Sequence, residues 1–314
     1  MLSLSTCWNS HRYIDGRDVV TEARAMGFEY IEISHGTSVS LLPGLMHAYD
    51  AGAIRVSSVH NFCPSPVEVL MDAPDVYEFS SSRPFDRERA VNLTKQSILT
   101  AVRFGVNRVV MHMGTVSMKP VTTKLEALAA DGEAYSRKFT DLKLRLVEQR
   151  EKMSTFYLDR ARAALHDLLP FAAQHRVALA IETRSHFEQV PNETEMLQLL
   201  TDFGDTPWIG AWHDFGHVQR QANLGLLDHA QYLSAIAPRL LGCHVHDVAW
   251  PAKDHRIPFT GGCVDFDRLL PLVPQGIPLV WELSPSQKRL EIMGRLGEWR
   301  ARFESHLAPR PVVT

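Results

Sequence analysis

The sequence has little of several things, and each shortage removes a class of protein. Only 4 cysteines occur in 314 residues: Cys7, Cys63, Cys243 and Cys263. They are widely spaced, with no C-x-x-C pair, which argues against a zinc ribbon or a disulfide framework and reads as reduced thiols in a cytoplasmic protein. No apolar run approaches the length of a membrane span, so no membrane partner is expected. The start, Met-Leu-Ser-Leu-Ser-Thr-Cys, lacks the basic region and apolar core of a secretory signal. An excess of positive charge is missing too: the net charge is -3, which gives no support for a nucleic-acid partner. No G-x-G-x-x-G follows the first strand-like run, so neither a dinucleotide-binding turn nor an organic cofactor is indicated.

What is present is a repeated pattern. Leu240–Asp247 reads Leu-Leu-Gly-Cys-His-Val-His-Asp, apolar at its start and polar at its carboxyl end. Strand alternation puts Gly242, His244 and His246 on one face, with Cys243 and Val245 on the other. Two imidazoles at the end of a buried strand are costly unless something binds them. A lone histidine there would be an ordinary hydrogen-bonded core residue. The pattern recurs, however: Val177–Glu182, Ile209–Asp214 and Leu279–Glu282 are apolar runs that each end in a carboxylate.

Along the chain, strands are expected at Leu2–Cys7, Tyr30–His35, Ile54–His60 and Arg108–Met113, then at the four runs just named. Helical spacing occupies Asp18–Met26, Pro43–Ala51, Asp86–Phe104, Ser154–Gln174, Glu193–Phe203, Asp228–Ala237, Asp265–Val273 and Ser286–His306. Two connections are long, Asn61–Pro84 with four prolines and Val248–Gly262. Thr115–Met153 reads as a helical insertion after strand four, its charge density favouring an oligomer arm or a solvated extension over a lid. About eight strand–helix units with no run of hairpins imply an α/β fold. We expect a single (β/α)₈ TIM-barrel domain over 1–314, with the insertion at 115–153.

In such a barrel every strand's carboxyl end lies on one rim, where active sites are built. That rim would collect His60, His112, Glu182, Asp214, His217, His244, His246 and Glu282. Glu182, Asp214, His244 and Glu282 offer three hard oxygens and one nitrogen, a set suited to one divalent ion: Mn²⁺, Mg²⁺ or Co²⁺, or Zn²⁺ if further imidazoles join. Three clustered carboxylates without a cation would repel one another. The bland alternative is that these acids pair with Arg184, Lys253 or Arg256 on the rim.

At this point the chain resembles the xylose-isomerase-like barrel superfamily of sugar-phosphate isomerases and epimerases, which includes apurinic-site endonucleases of the endonuclease IV kind. The resemblance is carried by Gly27-Phe28-Glu29-Tyr30-Ile31-Glu32, Val110-Met111-His112-Met113-Gly114, Ala180-Ile181-Glu182 and Asp214-Phe215-Gly216-His217. It continues through His244-Val245-His246-Asp247, Gly261-Gly262-Cys263-Val264-Asp265-Phe266 and Trp281-Glu282. It implies Glu182, Asp214, His244 and Glu282 as metal ligands, with His246 beside His244 as a competing assignment. It also matches His217 to a histidine that contacts substrate in epimerases and metal in the endonucleases.

The expected activity is a divalent-metal-dependent sugar isomerase or epimerase acting on a ketose or related polyhydroxy carbonyl compound. Glu182 and Glu282 would remove and return a proton from opposite sides, through a metal-stabilised enediolate. His217 and one of Lys253, His255 or Arg256 would steady the oxyanion. His60, His112 and His246 would join the substrate site. Trp8, Phe62, Trp212 and Trp250 suit the apolar face of a sugar, although core packing competes, strongly for Trp212. One rival is an endonuclease IV-like zinc phosphodiesterase using His60, His112 and Asp254. The spacing of Asp254-His255-Arg256 and the absent basic balance count against it. Another is metal-assisted elimination or hydrolysis of a keto-sugar glycoside. A small-molecule carbohydrate is the expected partner, and assembly into a homo-oligomer stays open.

Overall fold

The eight expected strand runs all form strands, and the computed structural model closes them into one barrel. Residues 1–69 and 73–307 are described. Part of the expected loop Asn61–Pro84, residues 70–72, therefore lies outside them. The strands are β1 (Leu2–Ser5), β2 (Tyr30–Ile33), β3 (Arg55–His60) and β4 (Arg108–Met111), followed by β5 (Ala178–Glu182), β6 (Ile209–Asp214), β7 (Leu240–Val245) and β8 (Leu279–Trp281). Each pairs in parallel with its neighbours in sequence, and β1 pairs with β8 to complete the ring.

Helices cover the outside: α1 (Gly16–Ala25), α2 (Leu42–Asp50), α3 (Pro84–Arg103), α4 (Thr122–Ala130), α5 (Arg137–His175), α6 (Glu193–Asp202), α7 (Phe215–Asn223), α8 (His229–Ile236), α9 (Phe266–Leu269) and α10 (Arg289–Leu307). Local chemistry sets several boundaries. Asp15 caps α1 by accepting from the Arg17 amide, and Asn192 with Glu195 forms a capping box on α6. Among the described residues no helix is long and apolar enough to cross a membrane. The cysteines are all free thiols.

Three expectations need correction. The boundary drawn between Met153 and Ser154 does not exist, because α5 runs through it as one 39-residue helix. No glycine or proline interrupts that stretch before Pro170, and one apolar stripe (Leu146, Leu158, Leu165, Leu168) is buried along it. Helix α7, unforeseen, starts directly at the end of β6. The loop Val248–Gly262 contains a small antiparallel pair, Asp247–Ala249 with Lys253–Arg256.

The region 115–153 is no solvated extension. Val121, Leu125, Leu128, Phe139 and Leu146 form a second apolar cluster with Leu224, just beyond α7. Trp250 Nε1 donates to the Ala129 carbonyl, tying α4 to the hairpin after β7. The first helix of the region is thereby held against the barrel rim.

Candidate metal centre

Inside the barrel, Val110, Ala180, Trp212 and Val280 form a buried apolar layer. The Trp212 indole occupies space that Gly242 leaves open: a Cβ on Gly242 would lie 2.2 Å from Cζ3. Trp212 is thus core, below the site and not beside a substrate. The His244 ring lies above it, with centroids 5.2 Å apart.

One pleat higher, the ends of β5, β6 and β7 and the residue after β8 bring Glu182, Asp214, His244 and Glu282 together. One ligand atom from each lies within 4.8 Å of all the others. His244 Nδ1 is 3.1 Å from Glu182 Oε1, 3.5 Å from Glu282 Oε2 and 3.7 Å from Asp214 Oδ2. All four residues are buried. Arg184, Lys253 and Arg256 do not pair with them; Arg184 instead binds Asp75 at 3.0 Å.

The surrounding imidazoles fall into two groups. His60 Nε2 and His112 Nε2 approach Glu182 Oε2 at 3.0 and 2.9 Å. Their other nitrogens donate to the Asn61 carbonyl and to Asp75 Oδ1. His217 Nδ1 donates to the Thr183 carbonyl and lies 3.4 Å from Glu182 Oε1. His246 has both nitrogens engaged: Nδ1 accepts from the His255 amide at 2.9 Å, so Nε2 carries the proton and donates to Asp214 at 3.0 Å. Its ring stacks on His255, centroids 4.1 Å apart, and lies against Gly216, where a Cβ would collide with it.

Charge in this enclosure is balanced between acids and imidazoles. Burial would raise the Glu182 carboxyl, but His112 and His244 outweigh it and hold the pKa well below the usual value. Asp214 is held low in the same way, against burial, by His217 and His246. For Glu282, burial is again overcome, by His244 and His255, and the pKa falls to about 2. Burial would lower His217, yet Asp214 and Glu182 raise it to about 9.

Above the cluster opens a cavity of about 460 Å³, lined among others by His112, Arg184, His217, Arg220, His255 and Glu282. Of the four converging residues only Glu282 lines it. Glu182 lies directly behind His112 and His217. Arg220 bonds both Glu126 of α4, at 2.8 Å, and Asp254, at 2.7 Å, so the inserted helix supports the cavity wall.

Several expected substrate residues stand elsewhere. Trp8 is fully buried, gives Nε1 to the Gln287 carbonyl and does not line the cavity. Phe62 packs in the core against Phe79. Lys253 and Arg256 are also off the cavity, whose lining takes Asp254 and His255. Of the three alternatives Lys253, His255 and Arg256, only His255, at a left-handed φ of 50°, lines it. His60 and His246 contact the carboxylates from behind without reaching the cavity. The sequence reading missed Asp75 and Arg220, which reach the site from a loop and a helix, and Glu32, which bonds the far side of His244.

A family model described as the xylose isomerase-like TIM barrel matches residues 20–292. No curated protein matches the sequence. Among solved structures the fold is similar to a D-tagatose 3-epimerase-like protein, at 15% identity over 98% of this chain and 99% of that one, TM-score 0.68. It is similar also to 3-keto-D-glucoside 4-epimerase from E. coli, at 14% identity over 96% and 98%, TM-score 0.66. For an L-ribulose 3-epimerase the figures are 16% identity, 98% of each chain and TM-score 0.65. At such identities the likeness speaks for the fold alone.

Proposed function

This chain belongs to the xylose isomerase-like TIM-barrel family, and on that premise we propose that it is a divalent-metal-dependent isomerase or epimerase of a ketose or related polyhydroxy carbonyl compound. The observation that carries the reading is the convergence of Glu182, Asp214, His244 and Glu282 at the carboxyl ends of four successive strands. Three carboxylates and one imidazole, buried and mutually within 4.8 Å, fit a divalent cation. His244 rather than His246 is the proposed nitrogen ligand, because His244 and not His246 converges with Glu182, Asp214 and Glu282, and the Nδ1 of His246 accepts from a backbone amide instead. A bound divalent ion supplies Lewis acidity toward a carbonyl and its neighbouring hydroxyl, lowering the pKa of the C–H between them.

The chain's own groups do the rest. Glu282 faces the cavity and its low pKa keeps it ionised at neutral pH, so it is the proposed acceptor of the substrate proton. Glu182, held by His60 and His112, is the proposed second proton carrier. His217, protonated at neutral pH and on the cavity wall, donates to the enediolate oxygen. Arg184 and Arg220 line the cavity but are already neutralised by Asp75, Glu126 and Asp254. That pairing favours an uncharged sugar over a phosphate ester.

The phosphodiesterase reading has less support. Among the described residues, the groups whose ligand atoms converge do not include His112. A second converging group, His217, His246 and His255, contains the fully engaged His246. Asp254 is committed to Arg220.

The test follows C–H exchange by proton NMR in D₂O, with metal-loaded chain and D-tagatose, D-fructose or L-ribulose and their phosphate esters. We expect exchange beside the carbonyl of a free ketose, slower with its ester, and about 10²-fold slower or more in Glu282→Gln with metal retained. No exchange with any ketose, alongside cleavage of abasic DNA, would favour the hydrolytic alternative.

A further inference from the structure

Glu32 has no part in the reading above, yet it is fully enclosed inside the barrel, at 0% exposure. A carboxylate buried in this way is costly unless its oxygens are engaged. They are. Ser58 Oγ donates to Oε2 at 2.7 Å, and His244 Nε2 lies 3.1 Å from Oε1 and 3.2 Å from Oε2. The strand register explains the first contact, since Glu32 on β2 is paired with Ser58 on β3. The second crosses the barrel interior to β7.

The His244 ring stands between two sets of carboxylates. Glu32 meets the ring at Nε2, while Nδ1 faces Glu182, Asp214 and Glu282 on the other side, so a cation among those three carboxylates would meet Nδ1 with Nε2–H donating to Glu32. Carboxylate–histidine pairs behind a metal site fix the ring's tautomer and angle and raise the basicity of the ligating nitrogen. We propose that Glu32 is a positioning residue that anchors the His244 ring through Nε2 and so presents Nδ1 as the atom that ligates. Glu32 itself is no ligand, because His244 stands between it and the converging carboxylates. The neighbouring His246 is turned the other way: its Nε2 points at Asp214 and its Nδ1 accepts from the His255 amide, away from the converging carboxylates.

This inference rests on the metal-centre reading, and one experiment separates the two. MnCl₂ is titrated calorimetrically into the metal-stripped full-length chain, as wild type, Glu32→Gln and Glu32→Leu, with the thermal midpoint of each stripped form measured alongside. Glu32→Leu should weaken Mn²⁺ binding about 10–100-fold. Glu32→Gln, whose amide oxygen still accepts from Nε2–H, should weaken it less. A merely structural role would lower the midpoint and leave the Kd of the folded protein unchanged. Folded Glu32→Leu with a wild-type Kd overturns the proposal; should that variant not fold, an unchanged Kd in Glu32→Gln overturns it. A wild-type chain that binds no Mn²⁺, Co²⁺ or Zn²⁺ refutes the metal centre itself, and this inference with it.

Discussion

Gly242 shows how a residue without chemistry of its own shapes the site. Its missing side chain admits the Trp212 indole, which in turn supports the His244 ring from below. Gly242→Ala forces those atoms apart, and overpacking of this kind typically costs about 1–3 kcal/mol. Denaturant unfolding should show that loss, and Mn²⁺ affinity should fall with it because His244 moves. An alanine variant of unchanged stability would mean the indole relocates freely. At this scale the convergence was legible: Glu182, Asp214, His244 and Glu282 each follow an apolar run, and the structure brings them together. Glu32 was not, because it sits inside its strand-like run rather than at the carboxyl end. What marks Glu32 is a partner on β7, 212 positions away. Lys253, His255 and Arg256 could not be told apart inside a segment read as a loop, whose short antiparallel pair brings His255 to the cavity. Arg184 and Arg220 matter through Asp75, Glu126 and Asp254, pairings that no local pattern encodes.

Among the elements, the amino end of α4 is held by one carboxylate. Glu188, from the segment after β5, accepts from the Val121 and Thr122 amides and from Thr122 Oγ1, at the amino end of that helix. Negative charge there also complements the helix dipole. Hydrogen bonds to charged groups each contribute about 1.5–3 kcal/mol. Glu188→Ala should therefore speed amide hydrogen exchange across 121–130 at least tenfold while barrel strands keep their protection. Uniform loss of protection would instead make α4 part of the barrel's own folding unit. The alternation of strands and helices was readable because each barrel strand carries its own apolar run. Helix α7 was overlooked since no loop precedes it; its signal was Asp214 itself, which caps the helix through the His217 amide. The length of α5 was missed because charged residues at 143–152 suggested a separate, solvated piece, whereas that stretch has one buried stripe continuous with the rest.

For the whole molecule, acid stability depends on imidazoles buried without charge. His213 Nε2 and His229 Nε2 lie 3.0 Å apart behind the barrel wall, and His229 Nδ1 donates to Gln219. Burial, then His213, holds the His229 pKa well below 6.5. The folded chain therefore refuses a proton that the unfolded chain accepts below about pH 6.5. The stability tied to this group is complete above that pH and is lost as pH falls toward the depressed folded value. Between pH 6.5 and 4, His229→Gln should flatten the fall in unfolding free energy by up to about 1.4 kcal/mol per pH unit. Parallel curves would place the acid-sensitive proton elsewhere.

The most direct measurement for the molecule as a whole is anomalous diffraction from crystals of the chain grown with Mn²⁺. The account predicts one strong peak enclosed by Glu182, Asp214, His244 Nδ1 and Glu282, and its disappearance in Asp214→Asn crystals. Density for manganese only among His217, His246 and His255, or none inside the barrel, would contradict it.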